Sequence, residues 1–352
     1  MDIRGFLMKS SMAHGVSGFE HMNIQELVKG SMAGLVDEIH SDALGNVIGV
    51  KRGSGQKPHP KIMLAAHMDE VGIIVTKIED GGFLRFTTQG IDPRVLPAHE
   101  VIVYGRRPLT GVVGTKPPHL LSHEESGKPQ KAEDLFIDLG LPEDEVRVLV
   151  RVGDVATYKR EVTELMGGMI AGKSLDDRAG VAVMLVLLDE LRKYNFCADV
   201  YAVATTQEET GSHGAEASAY AIHPDIGIAI DVCQGDTPSV PEHRTTFLGK
   251  GPTMTVGSTI HPKIASGLER AAREIGVNLQ QKVAPAGTGT DAGVLHVSRD
   301  GVATGLISIP QRYMHTSVET LSIRDVEDAG RVLARFIASC DRSFVEGLKM
   351  WN

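Results

Sequence analysis

The chain has 352 residues, of which 42% are hydrophobic and 23% are charged, as expected for a globular protein with one large domain or two. Its net charge of −9 gives no reason to expect a nucleic acid or an anionic membrane as a partner. No segment has about 18 uninterrupted apolar residues and the N-terminus lacks the apolar core of a signal peptide, so we expect no membrane association.

The first part of the chain predicts an α/β structure. Apolar residues near helical spacing predict a helix over 23–40. The runs at 46–50 and 61–70 read as strands because each is apolar and the segment between them is rich in turn-forming residues.

Residues 71–163 have a different pattern, in which short strand-like runs alternate with glycine and proline. A short helix is predicted only at 132–140. Beyond this region a long helix (179–194), two buried strands (200–206 and 226–232) and two further helices (262–276 and 324–344) restore the α/β pattern. The sequence therefore predicts an α/β domain made from both ends of the chain, with a β-rich module inserted into it.

Metal-competent side chains follow the apolar strands of the α/β part. Open α/β sheets bind ligands at the carboxyl ends of their strands, so these side chains are expected to lie together. They are His67 and Asp69, Asp176 and Asp177, Glu208 and Glu209, Asp231, and His315.

Each of these residues also has a simpler explanation when it is taken alone. His67 is compatible with a core histidine, Asp176 with the N-cap of the helix that follows it, and Glu208 and Glu209 with a solvated strand end. Their joint position at strand ends favours a shared site. Two histidines with several carboxylates suit Zn²⁺, Co²⁺ or Mn²⁺, and one shared carboxylate would bridge two ions about 3.5–4 Å apart.

The cysteines do not belong to this pattern. Cys197, Cys233 and Cys340 are widely spaced and fit neither a disulfide framework nor a zinc site, which favours the reducing cytoplasm.

Seven motifs in order make the chain resemble the tetrahedral, glutamyl or deblocking aminopeptidases, a family of dinuclear metallopeptidases in which some members carry the label endoglucanase. The motifs are AAHMDEVG, GKSLDDRAG, TTQEETGSHGA, AIDVCQGDTP, GKGP, GTDAG and IPQRYMHTSVE. The resemblance covers essentially the whole chain. It implies a mixed-sheet α/β/α sandwich of the phosphorylase/hydrolase type over residues 1–69 and 166–352, and a PDZ-like or barrel dimerisation domain over residues 70–165.

The resemblance also implies the role of each site residue. His67, Asp176 and Asp231 would hold one divalent ion, and Asp176, Glu209 and His315 would hold the other, with Asp176 as the bridge. Glu208 would be the general base, and Asp69 would orient His67. Asp177 is not counted as a ligand, and His243, Arg244 and His261 have no assigned role.

The function implied is removal of the N-terminal residue of short peptides by a metal-activated water, in a cytoplasmic homo-oligomer that is a dimer or a tetrahedral dodecamer. A glycosidase is the first alternative, but its chemistry needs two carboxylates and no histidine ligands. A related dinuclear deacylase or carboxypeptidase is the second, and the long β insertion after His67 and Asp69 argues against it. The third, a non-catalytic scaffold, is disfavoured because Glu208 is present beside the full ligand set.

Overall fold

The computed structural model describes residues 1–123 and 127–348. Its helices, in chain order, are α1 (Ile3–Met12), α2 (Ile24–Met32), α3 (Glu143–Leu149), α4 (Leu175–Glu190), α5 (His213–Ile222), α6 (Pro262–Glu274), α7 (Ala292–Leu295), α8 (Ile323–Ala338) and α9 (Arg342–Glu346).

The strands divide between a large mixed sheet and a barrel. They are β1 (Glu38–Ser41), β2 (Val47–Lys51), β3 (Lys61–His67), β4 (Gly72–Ile78), β5 (Leu84–Gln89), β6 (Glu100–Tyr104), β7 (Pro108–Thr115), β8 (Leu135–Asp138), β9 (Val155–Tyr158), β10 (Thr163–Glu164), β11 (Met169–Gly172), β12 (Asp199–Thr205), β13 (Ile226–Gln234), β14 (Thr253–Gly257), β15 (Gln280–Ala284), β16 (Ala303–Arg312) and β17 (Glu319–Ser322).

The mixed sheet has the strand order β1-β2-β12-β3-β13-β16-β17-β11-β10, and β14 joins it by pairing with β16 and β15. Its centre is parallel, because β12, β3, β13 and β16 run in one direction. Their near-continuous burial matches their apolar sequences, as parallel strands covered on both faces require.

Two glycines show that helices cover both faces of this sheet. A Cβ on Gly227 would point at Leu295 of α7, whereas one on Gly305 would meet Ile264 of α6. Gly305 is in register with Ile228, the residue after Gly227. Since successive side chains on a strand point to opposite faces, α6 and α7 lie on opposite sides of the sheet. The predicted α/β fold is therefore confirmed.

A closed antiparallel barrel, which we call the barrel, is formed by β4 to β9 in the order β4-β5-β8-β7-β6-β9. Its strands lie in sequence between β3 and β11 of the mixed sheet, and it has its own apolar core. Strand β7 shows the two-residue period, because Leu109 and Val113 are buried while Thr110 and Val112 are exposed. The predicted β-rich insertion is thus a barrel, and the domain boundaries at 70 and 165 stay predictions.

The N-terminal segment after α1 joins the barrel to the sheet domain. The rings of His14 and Tyr104 are stacked with centroids 3.8 Å apart. Val16 forms a β-bridge with Glu70 and is buried beside Tyr104 and Val155.

Three predicted helices differ from the structure. The helix over 23–40 ends at Met32 because Gly34 turns the chain with a φ of 77°, and β1 follows. The helix over 132–140 is wrong, since a 3₁₀ turn (Ala132–Asp134) leads into β8 there. The run at 324–344 is two helices, α8 and α9.

Helix α3 was missed inside a run that resembles a strand. Its signal is Pro142 followed by three acidic residues in the first helical turn, where the helix dipole favours negative charge. Over the described ranges, no helix combines the length and apolar character that a membrane span requires.

Candidate metal centre

The site lies where two neighbouring parallel strands separate. Strand β12 stays in register with β3 as far as Thr205 and His67, but the ladder between β3 and β13 ends at Ala65 and Ala229. Beyond that pair the carboxyl ends of the strands open into a crevice, which is the usual ligand position in an open α/β sheet.

His67, the last residue of β3, has different partners on its two ring nitrogens. Nδ1 lies 3.3 Å from the carbonyl oxygen of Asp69 and 3.5 Å from its Oδ1. Nε2 lies 3.2 Å from Oδ1 of Asp176 and 4.0 Å from Oε2 of Glu208. A proton on Nδ1, donated to Asp69, leaves Nε2 as the nitrogen available to a metal.

The carboxylate of Asp69 also holds the loop that carries the paired glutamates. The backbone amides of Glu208 and Glu209 donate to its two oxygens, each at 3.1 Å. Burial alone would raise the pKa of Asp69, but the hydrogen bonds and charge of His67, together with these two amides, lower it. Asp69 therefore contacts both His67 and the turn that follows β12.

His315, in the loop after β16, approaches the cluster from the other side. Its Nε2 is 3.4 Å from Oδ2 of Asp176 and 3.3 Å from Oε1 of Glu209. Glu319, in β17, accepts hydrogen bonds from the backbone amides of Asp176 at 3.0 Å and of His315 at 2.9 Å. One buried carboxylate thus fixes the backbone at both ends of the Asp176–His315 contact.

Asp231, in β13, completes the cluster together with Asp177. Ligand atoms of His67, Asp177 and Asp231 lie within 4.8 Å of one another, as do those of His67, Asp176 and Glu209. Oδ2 of Asp177 is buried and has no hydrogen-bond partner among the residues that the structure describes.

The residues expected from the sequence are therefore gathered in one place, and two further carboxylates join them. Asp177 was not predicted as a ligand, although its position directly after Asp176 in the sequence was a signal for it. Glu319 was missed, because its strand β17 is buried but has the sequence ETLS, which shows no apolar run that would mark it as a core strand.

The cluster contains more carboxyl groups than histidines. Burial raises the pKa values of Asp177 and Asp231 well above their ordinary range, and it raises the pKa of Glu208 to about 7. Hydrogen bonds to Asp176 and Glu209 raise the pKa of His315 to about 11. A bound cation would stabilise the ionised form of these buried carboxyl groups. Imidazole nitrogen together with carboxylate oxygen is the donor set of a borderline divalent ion. The residues present fit a metal.

Several residues near the motifs lie outside this cluster. The Sγ atom of buried Cys233 contacts the hydroxyl of Thr246 at 3.2 Å, and it belongs to neither group of ligand atoms found in the described part of the chain. His261 caps α6, and its Nε2 donates to the carbonyl of Leu348 at 2.8 Å. The exposed turn Glu242–Arg244 contains His243 and Arg244.

Comparison with known proteins identifies the family. The model of the M42 glutamyl aminopeptidase family matches residues 45–332. Lysyl aminopeptidase of Pyrococcus furiosus is 37% identical over 319 residues, covering 89% of this chain and 90% of that protein. The solved aminopeptidase APDkam598 of Desulfurococcus kamchatkensis is 39% identical, with a TM-score of 0.92 and coverage of 99% and 98%.

Two further solved structures carry the tetrahedral and endoglucanase names that were given above for the family. The TET1 peptidase of Pyrococcus horikoshii, named as assembling into a tetrahedron or a large octahedral shell, is 30% identical with a TM-score of 0.83, covering 96% of this chain and all of that one. A structure named endoglucanase from Thermotoga maritima is 30% identical with a TM-score of 0.77, covering 97% and 99%. This chain belongs to the M42 glutamyl aminopeptidase family and is a metal-dependent aminopeptidase.

Proposed function

We propose that the protein binds two divalent cations and releases the N-terminal residue of short peptides. The observation that carries the proposal is the position of Asp176 between two histidines. Its Oδ1 faces Nε2 of His67 at 3.2 Å, and its Oδ2 faces Nε2 of His315 at 3.4 Å. One oxygen toward each histidine is the arrangement that a bridging carboxylate needs.

The proposed ligands form two sets that share Asp176. His67 and Asp231 complete one set, and Glu209 and His315 complete the other. Asp177 lies close to His67 and Asp231, which supports a role for its carboxylate in orienting the ligands of the first set. Zn²⁺ or Co²⁺ is the preferred ion, with Mn²⁺ as the third choice.

Glu208 is the proposed general base. When bound, the two cations would lower the pKa of a water molecule and polarise the scissile carbonyl. The Glu208 carboxylate would accept the proton from that water and donate it to the nitrogen of the leaving peptide. Burial raises the pKa of Glu208, whereas nearby cations would lower it and so favour the ionised form that accepts a proton. Ser212 donates a hydrogen bond to its Oε1 at 3.4 Å.

The remaining side chains would orient these groups. Asp69 contacts Nδ1 of His67 and the backbone amides of both glutamates. These contacts support a role for Asp69 in aligning the metal ligand His67 and the base Glu208. A glycoside hydrolase would need two carboxylates at a defined separation but not the two histidines. The donor set therefore favours peptide hydrolysis over the glucanase label.

We also propose that subunits dimerise through the barrel and that dimers assemble into a tetrahedral dodecamer in the cytoplasm. The named assemblies of the Pyrococcus horikoshii peptidase support this proposal. A hollow assembly would admit short peptides and exclude folded proteins.

The proposed function is tested by hydrolysis of a panel of aminoacyl chromogenic amides. Metal-stripped protein should be inactive, and Zn²⁺, Co²⁺ or Mn²⁺ should restore hydrolysis together with two bound ions per chain. A cellulose oligosaccharide should not be cleaved under the same conditions. Metal-independent amide hydrolysis, or ligation that omits Asp176, would overturn the proposal.

A further inference from the structure

The barrel reaches the candidate metal centre through one backbone carbonyl. The oxygen of Gly90, immediately after β5, lies 3.0 Å from Nδ1 of His315. A carbonyl only accepts hydrogen bonds, so this contact requires the proton of a neutral His315 ring to be on Nδ1. When a cation replaces the proton on Nε2, the lone pair of Nε2 is directed toward the side of Asp176 and Glu209.

A second contact ties the same loop to the barrel two residues further on. Nε2 of His99, between the turn Pro93–Val95 and β6, lies 2.9 Å from the hydroxyl of Ser317, which is buried. The His99 ring packs edge-on against the ring of Tyr158 in β9, with centroids 5.2 Å apart. Among the described residues, Nδ1 of His99 is buried and has no hydrogen-bond partner. The contact with Ser317 is therefore the only hydrogen bond of this side chain within those residues.

The loop needs such external contacts because its own backbone does not favour the observed conformation. Tyr313 and His315 have φ angles of 59° and 62°, in the left-handed region that residues with a Cβ seldom occupy. Glu319 holds the amide of His315 from the sheet side, and the barrel holds the ring from the other side.

The two histidines of the site therefore depend on different parts of the molecule. His67 receives its Nδ1 partner from Asp69, two residues along its own chain segment. His315 receives its partner from the barrel, 225 residues away in sequence. The same orienting task is local for one histidine and is performed by a separate structural unit for the other.

We propose that the barrel is a positioning element of the metal centre, in which the Gly90 carbonyl and His99 hold His315 with Nε2 toward Asp176 and Glu209. The barrel then sets the affinity of the metal position that contains His315, and leaves the position that contains His67 unchanged. This inference rests on the proposed two-metal site.

The test is metal titration of His99→Ala, because Gly90 acts through its backbone and has no side chain to change. Metal-stripped protein is titrated with Co²⁺ and followed by calorimetry and visible absorption, without substrate. In His99→Ala, affinity for one of two ions should fall by about 10–100-fold, while affinity for the other is retained. His99→Gln, which keeps a side-chain donor for Ser317, should recover most of the loss.

Two further variants complete the design. Ser317→Ala removes the same contact from the other partner and should reproduce the selective loss, and it keeps the test available if His99→Ala does not fold. His40→Ala, at an exposed position in β1, is the matched control and should titrate as the wild type does.

The inference is overturned if His99→Ala and Ser317→Ala bind both ions as the wild type does, if both affinities fall together, or if His99→Gln gives no recovery. Failure of the proposed function looks different, because the unmodified protein would then not bind two ions.

Discussion

Glu208 and Glu209 are chemically alike and adjacent, yet they have different surroundings. Oε1 of Glu209 lies 3.3 Å from Nε2 of His315, whereas Glu208 faces Nε2 of His67 at 4.0 Å and accepts from Ser212. Their backbone amides donate to the two oxygens of Asp69, which holds the turn that carries both carboxylates. Adjacent side chains at the end of a strand can thus serve two separate tasks.

This difference predicts unequal effects of the same substitution. Glu208→Gln should retain two bound ions and peptide binding, while kcat falls by about 10²–10⁴-fold because proton transfer is lost. Glu209→Gln should lose affinity for one ion and regain part of its activity in excess metal. Steady-state kinetics with metal titration compare the two variants. A metal-replete but inactive Glu209→Gln, beside an active Glu208→Gln, would reverse the assignment.

Most residues of the candidate site could be predicted to lie together, because they follow recognisable strands. His67, Glu208, Glu209 and Asp231 could be placed from apolar runs alone, since strand ends converge in a parallel sheet. Glu319 could not be placed in this way, because it accepts hydrogen bonds from the backbone amides of Asp176 and His315. Every residue type except proline has such an amide, so the sequence does not indicate these contacts. The Gly90 carbonyl was unpredictable for the same reason.

At the scale of elements, close helix packing depends on a glycine. A Cβ on Gly330 of α8 would lie 2.5 Å from Cβ of Val186 in α4 and 3.0 Å from the carbonyl oxygen of Val183. Gly330→Ala should therefore destabilise the protein by about 1–3 kcal/mol, because overpacking outweighs the better helix propensity of alanine.

The control is the same substitution where there is space. Gly30 is exposed in α2, and a Cβ there would meet no atom of the described residues within 4 Å. Gly30→Ala should stabilise the protein by about 0.5–1 kcal/mol. Urea unfolding of both variants at one protein concentration measures the pair. If both substitutions change the free energy of unfolding in the same direction, the packing argument is contradicted.

Asp199, at the start of β12, joins that strand to the segment after β2. Its oxygens accept from the amide of Gly53 and from Arg52, each at 2.9 Å, and Oδ1 lies 2.9 Å from Nδ1 of His59. Burial raises the pKa of Asp199, but these contacts together lower it below the ordinary value of 3.8. Because the folded pKa is the lower one, the carboxylate stabilises the fold above pH 3.8, and this contribution is lost as pH falls through the folded pKa.

Asp199→Asn should therefore be less stable than the wild type at neutral pH, and the difference should shrink below pH 3.8. Denaturation from pH 7 to pH 3 measures it. Asp80→Asn, in the exposed turn after β4, is the control and should change stability little. A stability difference that grows on acidification would refute the assignment.

The elements themselves were predictable to different degrees. The buried strands β3, β12 and β13 were identified because parallel strands read as continuous apolar runs. Strand β8 was not, because its short apolar run has no clear period. Helix α3 was not, because the alternating apolar residues over 146–152 resemble a strand and obscure the acidic start of the helix.

At the scale of the molecule, folding and metal binding are linked. The candidate ligands come from distant segments, so the unfolded chain holds no assembled site. Zn²⁺ or Co²⁺ at 100 times its dissociation constant should stabilise the fold by about 2.7 kcal/mol for each site that it fills. Asp176→Ala should abolish this gain, whereas His67→Ala should retain part of it. Thermal unfolding with added metal or with a chelator measures the effect, and an unchanged midpoint in the wild type would contradict it.

The barrel is the proposed contact between subunits. Replacing residues 72–158 by a short linker should abolish the native oligomer and expose the apolar side chain of Val16, which the barrel covers. Sedimentation would detect the change in assembly. If the shortened chain keeps the oligomer number of the wild type, the barrel does not mediate assembly.

The proposed ligands are spread along the chain, so the position of the last one would limit when activity can arise during synthesis. His67 is made early, and His315 is made last of the proposed ligands. A growing chain on the ribosome therefore has no complete centre until nearly all of the sheet has been translated. A peptidase that trims free N-termini is in this way kept inactive while its own N-terminus is already exposed. A chain ending at Arg312 should accordingly bind no more than one ion and hydrolyse no peptide.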